Sequence, residues 1–245
     1  MSYLSRILNK ILKVPQTDVF IETLGKYYNN KQQLDKIFKK SKSELRQDLF
    51  VISHLNFKKK GYFVEIGGGE GVKDSNSHLL EKQFKWNGII VEPIDYNFKK
   101  IKEQRKCIIK KKIIFSRNTN VIFCEYYKKN LSSIKGYHPK SIHLNSTQPY
   151  KETKRKTITL NSFLKKIPKI PKIIDYLSID TEGSEYDILK KFNFLNHDIR
   201  IITCEHNYSA NRKKIYNLLI KNNFKQIFKN ISRHDDWYVK YIYVY

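Results

Sequence analysis

The residues of this chain best suited to chemistry are carboxylates that close short apolar runs. Glu65 lies near the end of the run Tyr62–Ile66 and opens a glycine loop, Glu65-x-Gly67-x-Gly69-x-Gly71. Glu92 ends a second run, Gly88-Ile-Ile-Val-Glu-Pro93, twenty-one residues beyond Gly71. Glycines let a backbone turn sharply and approach a ligand closely, and an acid at the tip of the next strand can take both ribose hydroxyls. The dinucleotide pattern G-x-G-x-x-G requires glycine at position 72, where this chain has Val72. An acid opening the loop suits an ammonium group and repels a pyrophosphate. S-adenosylmethionine (SAM) carries an amino acid where NAD carries phosphates, so this spelling favours SAM.

A second set of acids follows two later runs. Ile173–Ile179 leads into Asp180-Thr181-Glu182-Gly183-Ser184-Glu185, and Ile199–Cys204 leads into Glu205-His206-Asn207. In an open α/β sheet the carboxyl ends of the strands form the ligand edge, so Asp180, Glu182, Glu205 and His206 converge beside the glycine loop. The segment His234-Asp235-Asp236 is expected as a loop over the same edge. Such a group can remove a hydroxyl proton, with His206 as the natural base and Asp180 or Glu205 orienting it. It can equally hold a divalent cation such as Mg²⁺ or Mn²⁺, with Asp180, Glu182 and Glu205 as candidate ligands. Ser184 and Glu185 read equally well as caps of the following helix.

These residues need a scaffold, and strands alternate with helices as in a doubly wound, mostly parallel sheet. Strands are expected at Tyr62–Ile66, Ile89–Glu92, Cys107–Phe115, Ile173–Ile179 and Ile199–Cys204. Helices fall near 77–84, 96–105 and 211–222. Val121–Tyr127 reads as an added hairpin arm, and 130–156 as a polar substrate loop without secondary structure. A terminal strand pair is expected at Lys225–Ile231 and Tyr238–Val244. Residues 1–50 form a helical extension ahead of a domain over 51–245. Within it Ser41-x-x-Glu44 spells a capping box for a helix at Lys42–Leu55. Leu4, Ile7, Leu8, Ile11 and Leu12 make an apolar stripe, so residues 1–14 either dock on the domain, the preferred reading, or lie on an anionic membrane.

The 245 residues carry 48 Lys and Arg against 23 Asp and Glu, a formal charge of +25. Only eight of the cations are arginine and 40 are lysine. Arginine is the better reader of phosphates and bases, and A/T-rich codons alone produce lysine, asparagine and isoleucine. Nucleic acid is therefore the weaker reading of the charge. Cys107, Cys124 and Cys204 form no C-x-x-C pair, which points to a reducing compartment, the cytoplasm, and away from structural zinc. The amino terminus has no signal-peptide core, and no apolar run approaches the ~20 residues of a membrane span.

Several blocks together resemble FkbM-type SAM-dependent methyltransferases. They are Phe63-Val-Glu-Ile-Gly67, Ser75-Asn76, Leu80-Glu-Lys82, Trp86-x-Gly88-Ile-x-Val-Glu-Pro93, Ile174-Asp-Tyr-Leu-Ser-Ile-Asp-Thr-Glu-Gly-Ser-Glu-Tyr186, Glu205-His-Asn207 and Asp235-Asp-Trp-Tyr-Val239. The resemblance spans about Gln47 to Val239 and implies a Rossmann-like class I methyltransferase fold. It implies O-methylation of sugars, glycans or other hydroxylated acceptors. By matching position, Glu65, Gly67 and Gly69 would cradle the methionine part of SAM, Glu92 the ribose and Ser116 the adenine. Asp180 would stand between cofactor and acceptor. The loop Gly67-Gly-Gly-Glu-Gly71 departs from relatives, which often have alanine and a small polar residue there. Three rivals are a nucleic-acid methyltransferase on the same fold, an NAD-dependent oxidoreductase and a non-catalytic basic interaction module. Against the first, the chain has Thr181-Glu-Gly where amino-methylating enzymes have a Pro-Pro-aromatic turn, and Glu205-His206 with no lysine in place of the Lys-Asp-Lys-Glu set of ribose 2′-O enzymes. Val72 argues against the second, and the third would have little use for acids gathered at one sheet edge.

Overall fold

The computed structural model of the chain describes residues 16–126, 131–137 and 149–243. The stripe expected at residues 1–14 lies outside them. Three helices come first: α1 (Gln16–Tyr28), α2 (Lys31–Ile37) and α3 (Gln47–His54). The main sheet then collects β1 (Tyr62–Ile66), β2 (Asn87–Val91), β3 (Ile108–Lys110), β8 (Ile173–Ile179), β9 (Asp198–Glu205), β10 (Phe224–Ile227) and β11 (Asp235–Lys240). Their spatial order is β10-β11-β9-β8-β1-β2-β3, with β11 antiparallel to both its neighbours and the other pairs parallel. Helices α4 (His78–Phe84), α5 (Asp95–Gln104), α6 (Leu160–Lys165), α7 (Glu185–Lys190) and α8 (Asn211–Lys221) lie in the connections. This is the expected Rossmann-like methyltransferase fold.

Its central strands are buried on both faces, and consecutive residues feed opposite cores because side chains alternate along a strand. Val64, Ile89, Leu177, Ile202 and Tyr238 pack with Leu160, Phe163 and Leu219 on one side. Phe63, Ile90, Tyr176, Ile201 and Trp237 pack with Phe20, Leu24, Leu49 and Phe50 on the other. Phe50 of α3 stacks on Trp237 of β11 with ring centroids 4.8 Å apart and planes 9° from parallel. The amino-terminal helices and the sheet thus share one core, and the division expected after residue 50 falls inside α3.

Three expectations are corrected. The strand expected at Cys107–Phe115 is two strands: β3 pairs with β2, while β4 (Ile113–Ile114) leaves the main sheet to pair with β7 (Tyr150–Ile158). The lysine run 110–112 makes that step. The segment 130–156 is not a loop without structure, since β5 (Asn120–Tyr126), β6 (Ser133–Ile134) and β7 form a second sheet in the order β4-β7-β5-β6. Most of β7 is exposed on both faces, so it shows no apolar alternation. A backbone ladder to β5 and the cross-strand pairs Arg155–Glu125 and Lys135–Glu152 hold it. Finally, the helix after Ser41 starts only at Gln47, because Arg46 takes a left-handed conformation (φ 62°). The Ser41 hydroxyl donates to Asp48 at 2.6 Å, and no capping box forms. No helix among the described residues is long and apolar enough to cross a membrane.

Candidate active site

The glycine loop leaves β1 between β2 and β8 and is stitched to both. Gly67 N–H donates to Val91 O, and Asp180 N–H donates to Ile66 O, each at 2.9 Å. Gly67 has φ +87°, and a Cβ there would stand 1.8 Å from Asp180 O, so only glycine fits. Glu92 sits at the tip of β2 and lines the cleft beside this loop. Its carboxylate accepts Gly69 N–H at 3.0 Å and Ile94 N–H at 2.9 Å. Burial nevertheless pushes its pKa up to about 7, against the pull of those hydrogen bonds and of Asn97.

Glu65 behaves differently from the expectation. It is 2% exposed and faces the turn 75–77 rather than the cleft. The Ser77 hydroxyl donates to it at 2.5 Å, Asn76 N–H at 2.6 Å and the Ser75 hydroxyl at 3.1 Å. Arg105, from the end of α5, closes the same turn. Its guanidinium donates to Glu81, to Gly71 O at 2.7 Å, to Ser75 at 3.0 Å and to Ser77 at 2.8 Å. Glu65 and Arg105 are thus a buried, hydroxyl-bridged pair that fixes the back of the glycine loop. Ser116, expected near the adenine, is half-buried on the bend after β4 and does not line the cleft.

Asp180, Glu182 and Glu205 do converge at the ends of β8 and β9. Each offers an oxygen within 4.8 Å of the others'. Burial first, then the charge of Glu185, drives Asp180 up to about 7, while a hydrogen bond with Glu205 pulls it down. Burial and the Asp180 charge raise both Glu182 and Glu205 well above the usual carboxylate range. Glu185 itself accepts Thr181 N–H and Gly183 N–H at 2.8 and 3.0 Å, so it shapes the turn from beneath. Asn207 donates to Glu182 at 3.4 Å.

His206 lines the same cleft, with Nδ1 engaged by the backbone and Nε2 buried without a hydrogen-bond partner. Nδ1 accepts Tyr208 N–H at 3.0 Å, which places the proton on Nε2, and Nε2 lies 3.5 Å from Asp236 Oδ1. Asp236 is gripped in turn by both arms of Arg212, at 2.7 and 3.0 Å. Asp235 and Asp236 belong to β11 rather than to a loop, because the register sets them opposite Glu205 and Cys204. Asp235 is buried and accepts Gln47 Nε2 at 2.7 Å; of the segment 234–236 only His234 reaches the cleft.

The cleft measures about 1570 Å³, against ~300–1,000 Å³ for a typical single-ligand pocket, so it can house two molecules. Gly67–Glu70 and Glu92–Asn97 make one side, with Ile94 and Ile113 as an apolar slot. Asp180–Glu185, Glu205–Asn207 and Tyr208 make the other, and Tyr126 and Tyr137 of the second sheet form a wall. The sequence reading missed Arg105, Glu44 and Tyr137. The scarcity of arginine was a usable signal for the first: an arginine kept among 40 lysines marks a forked contact.

The methyltransferase FkbM domain matches residues 65–238, which runs from Glu65 through both acid clusters to β11. The chain belongs to the FkbM methyltransferase family. No curated protein matches it. Similar solved structures include the human methyltransferase 10 domain containing protein, at 13% identity and TM-score 0.42, with 80% of this chain and 81% of that chain covered. They also include the N-terminal domain of human METTL16, at 13% identity and TM-score 0.42, covering 79% of this chain and 67% of that one. The same domain in complex with SAH gives 12% identity, 94% and 71% coverage and TM-score 0.41. For an FkbM methyltransferase the cleft has the donor set that SAM needs: a glycine backbone where side chains would clash, an acid at the β2 tip and an apolar slot beside it.

Proposed function

We propose that this FkbM methyltransferase moves a methyl group from SAM to a hydroxyl of a sugar, glycan or related polyhydroxylated acceptor. The observation that carries the reading is the position of Asp180. It stands beside the glycine loop and within reach of Glu205 at the end of β9, with its pKa pushed up to about 7. A base poised near neutrality can take a hydroxyl proton and still release it between turnovers. SAM, when bound, supplies an electrophilic methyl carbon on a sulfonium. The chain's part is alignment and proton removal. Glu92 fixes the nucleoside, Glu182 and Glu205 accept further acceptor hydroxyls, and the exposed face of Tyr208 offers a stacking surface of the kind sugar rings use. His206 positions the β9 turn through Asp236 and Arg212 instead of touching the acceptor.

Lys73, Lys112 and Lys151 also line the cleft, which favours RNA as a second reading of the acceptor. Transfer of tritiated methyl from SAM into glycan, lipid-glycan and RNA fractions separates the two. Label in a glycan fraction, lost in Asp180→Asn, supports the first. Label confined to RNA replaces it with the second.

A further inference from the structure

We propose that Asp180, Glu182 and Glu205 form a binding site for one divalent cation on the acceptor side of the cleft. The proposal goes beyond methyl transfer and stands without it, because it concerns what these oxygens bind and not which group is transferred.

Two independent observations carry it. The first is an orphaned atom. Glu205 is 8% exposed, and its Oε2 is fully buried with no hydrogen-bond donor in reach. A buried carboxylate oxygen without a partner forfeits its full desolvation energy, so native structures seldom keep one without a use. The second is the lack of counter-charge. The chain has 48 Lys and Arg for 23 Asp and Glu, so cations are in surplus. Among the described residues no ion pair involves Asp180, Glu182 or Glu205. Asp236, one strand away, has both Arg212 and His206, and Asp175 at the opposite edge of the sheet has Lys58 and Arg200. Those two buried acids are neutralised by side-chain cations, and the three of this cluster are not.

The geometry selects the ion. One oxygen from each residue lies within 4.8 Å of the others. A cation with oxygen distances of ~2.1–2.6 Å can reach all three oxygens across a gap no wider than that. An all-oxygen donor set suits Ca²⁺, Mg²⁺ or Mn²⁺ over zinc or copper. The site is also constructed to point inward. Glu182 holds a left-handed backbone (φ 58°), Glu185 fixes the turn before and after it, and Asn207 steadies its carboxylate. Each residue need give only one oxygen to the ion. With the cation bound Asp180 stays ionised, and the cation would then lower the pKa of an acceptor hydroxyl that reaches it, so the base poised near neutrality belongs to the cation-free site.

The test is Mn²⁺ binding to the full chain, followed by electron paramagnetic resonance of the free ion, with Mg²⁺ and Ca²⁺ as competitors and no SAM or acceptor present. One saturable site per chain is expected, displaced by Ca²⁺. Glu205→Gln and Asp180→Asn should each weaken it by more than the roughly 10- to 100-fold that loss of an outer partner costs. Glu152→Gln, on the second sheet, should leave it unchanged. If either cluster variant fails to fold by circular dichroism, Glu182→Gln carries the same expectation. No saturable binding up to about 1 mM, the weak end of oxygen-ligand sites, overturns the proposal. So does equal affinity in wild type and every folded cluster variant. Protection of the fold by methylammonium but not by any divalent ion also overturns it, in favour of a cationic acceptor.

Discussion

Glu92 and His206 show how differently two polar residues at strand ends can be used. Glu92 is held by two main-chain N–H groups and presents its carboxylate to the cleft, so Glu92→Ala removes a charge-assisted contact to the ribose. The expected loss of SAM affinity by calorimetry is about 10- to 100-fold, the equivalent of one such hydrogen bond. Unchanged affinity would remove Glu92 from the cofactor site. Asp180→Asn should lower turnover about 100- to 10,000-fold with SAM binding nearly intact. His206→Ala should show itself first as a lower melting temperature, because the Asp236–Arg212 pair loses its buried neighbour. A His206→Ala protein that melts normally yet transfers no methyl would return the histidine to the role of base. The acids were legible from sequence because position at strand ends is a property of the local run. The use of His206 was not, since it depends on the register of β11 against β9.

At the level of elements, the glycine loop owes its shape to what stands behind it. Arg105 is fully buried, forms an ion pair with Glu81 at 2.8 Å, and partly offsets the buried charge of Glu65 through Ser75 and Ser77. Removing one partner of such a pair leaves an uncompensated buried charge, so Arg105→Leu should cost about 3–5 kcal/mol in urea unfolding. The double variant with Glu65→Gln should recover part of that loss. A simple sum of the two single losses would show that the pair is not coupled. β1 and β8 were read from sequence to the residue because continuous apolar runs bounded by turns leave little choice. β7 escaped because charged residues fall on both its faces and its partner β5 ends at Tyr126, before β6. The start of α3 escaped for a related reason: Ser41 bonds the Asp48 side chain, and it is Ser43, not Ser41, that accepts the N–H of the first helical residue, Gln47, at 3.0 Å.

Over the whole molecule, buried acids set the pH response. Asp48 is 0% exposed, and burial lifts its pKa to about 6, opposed by hydrogen bonds from Ser41 and Leu49 N–H and by the charge of Arg46. Its folded pKa lies above its unfolded one. Its contribution is therefore complete below about pH 4 and lost as pH rises through 6. Glu92 adds the same sign up to about 7, while His54 and His78, whose pKa values are lowered by burial, act oppositely. Asp48→Asn isolates one contribution. It should melt with the wild type near pH 4 and above it at pH 8, and a parallel pair of curves would count against the assignment.

The reach of Gln47 to Asp235, 188 positions along the chain, has a bearing on how the protein is made. Chains emerge from the ribosome amino end first, and domains form as their parts become available. Here the helices ahead of the sheet rest on Trp237, which is made much later than they are, and β11 enters between β9 and β10 instead of adding at an edge. Until that strand arrives, Phe50 and Leu49 have no indole to cover them. The nascent chain must carry an open apolar slot until those 188 further positions have been made, so products that stall or end before β11 will be the species that chaperones hold and proteases clear.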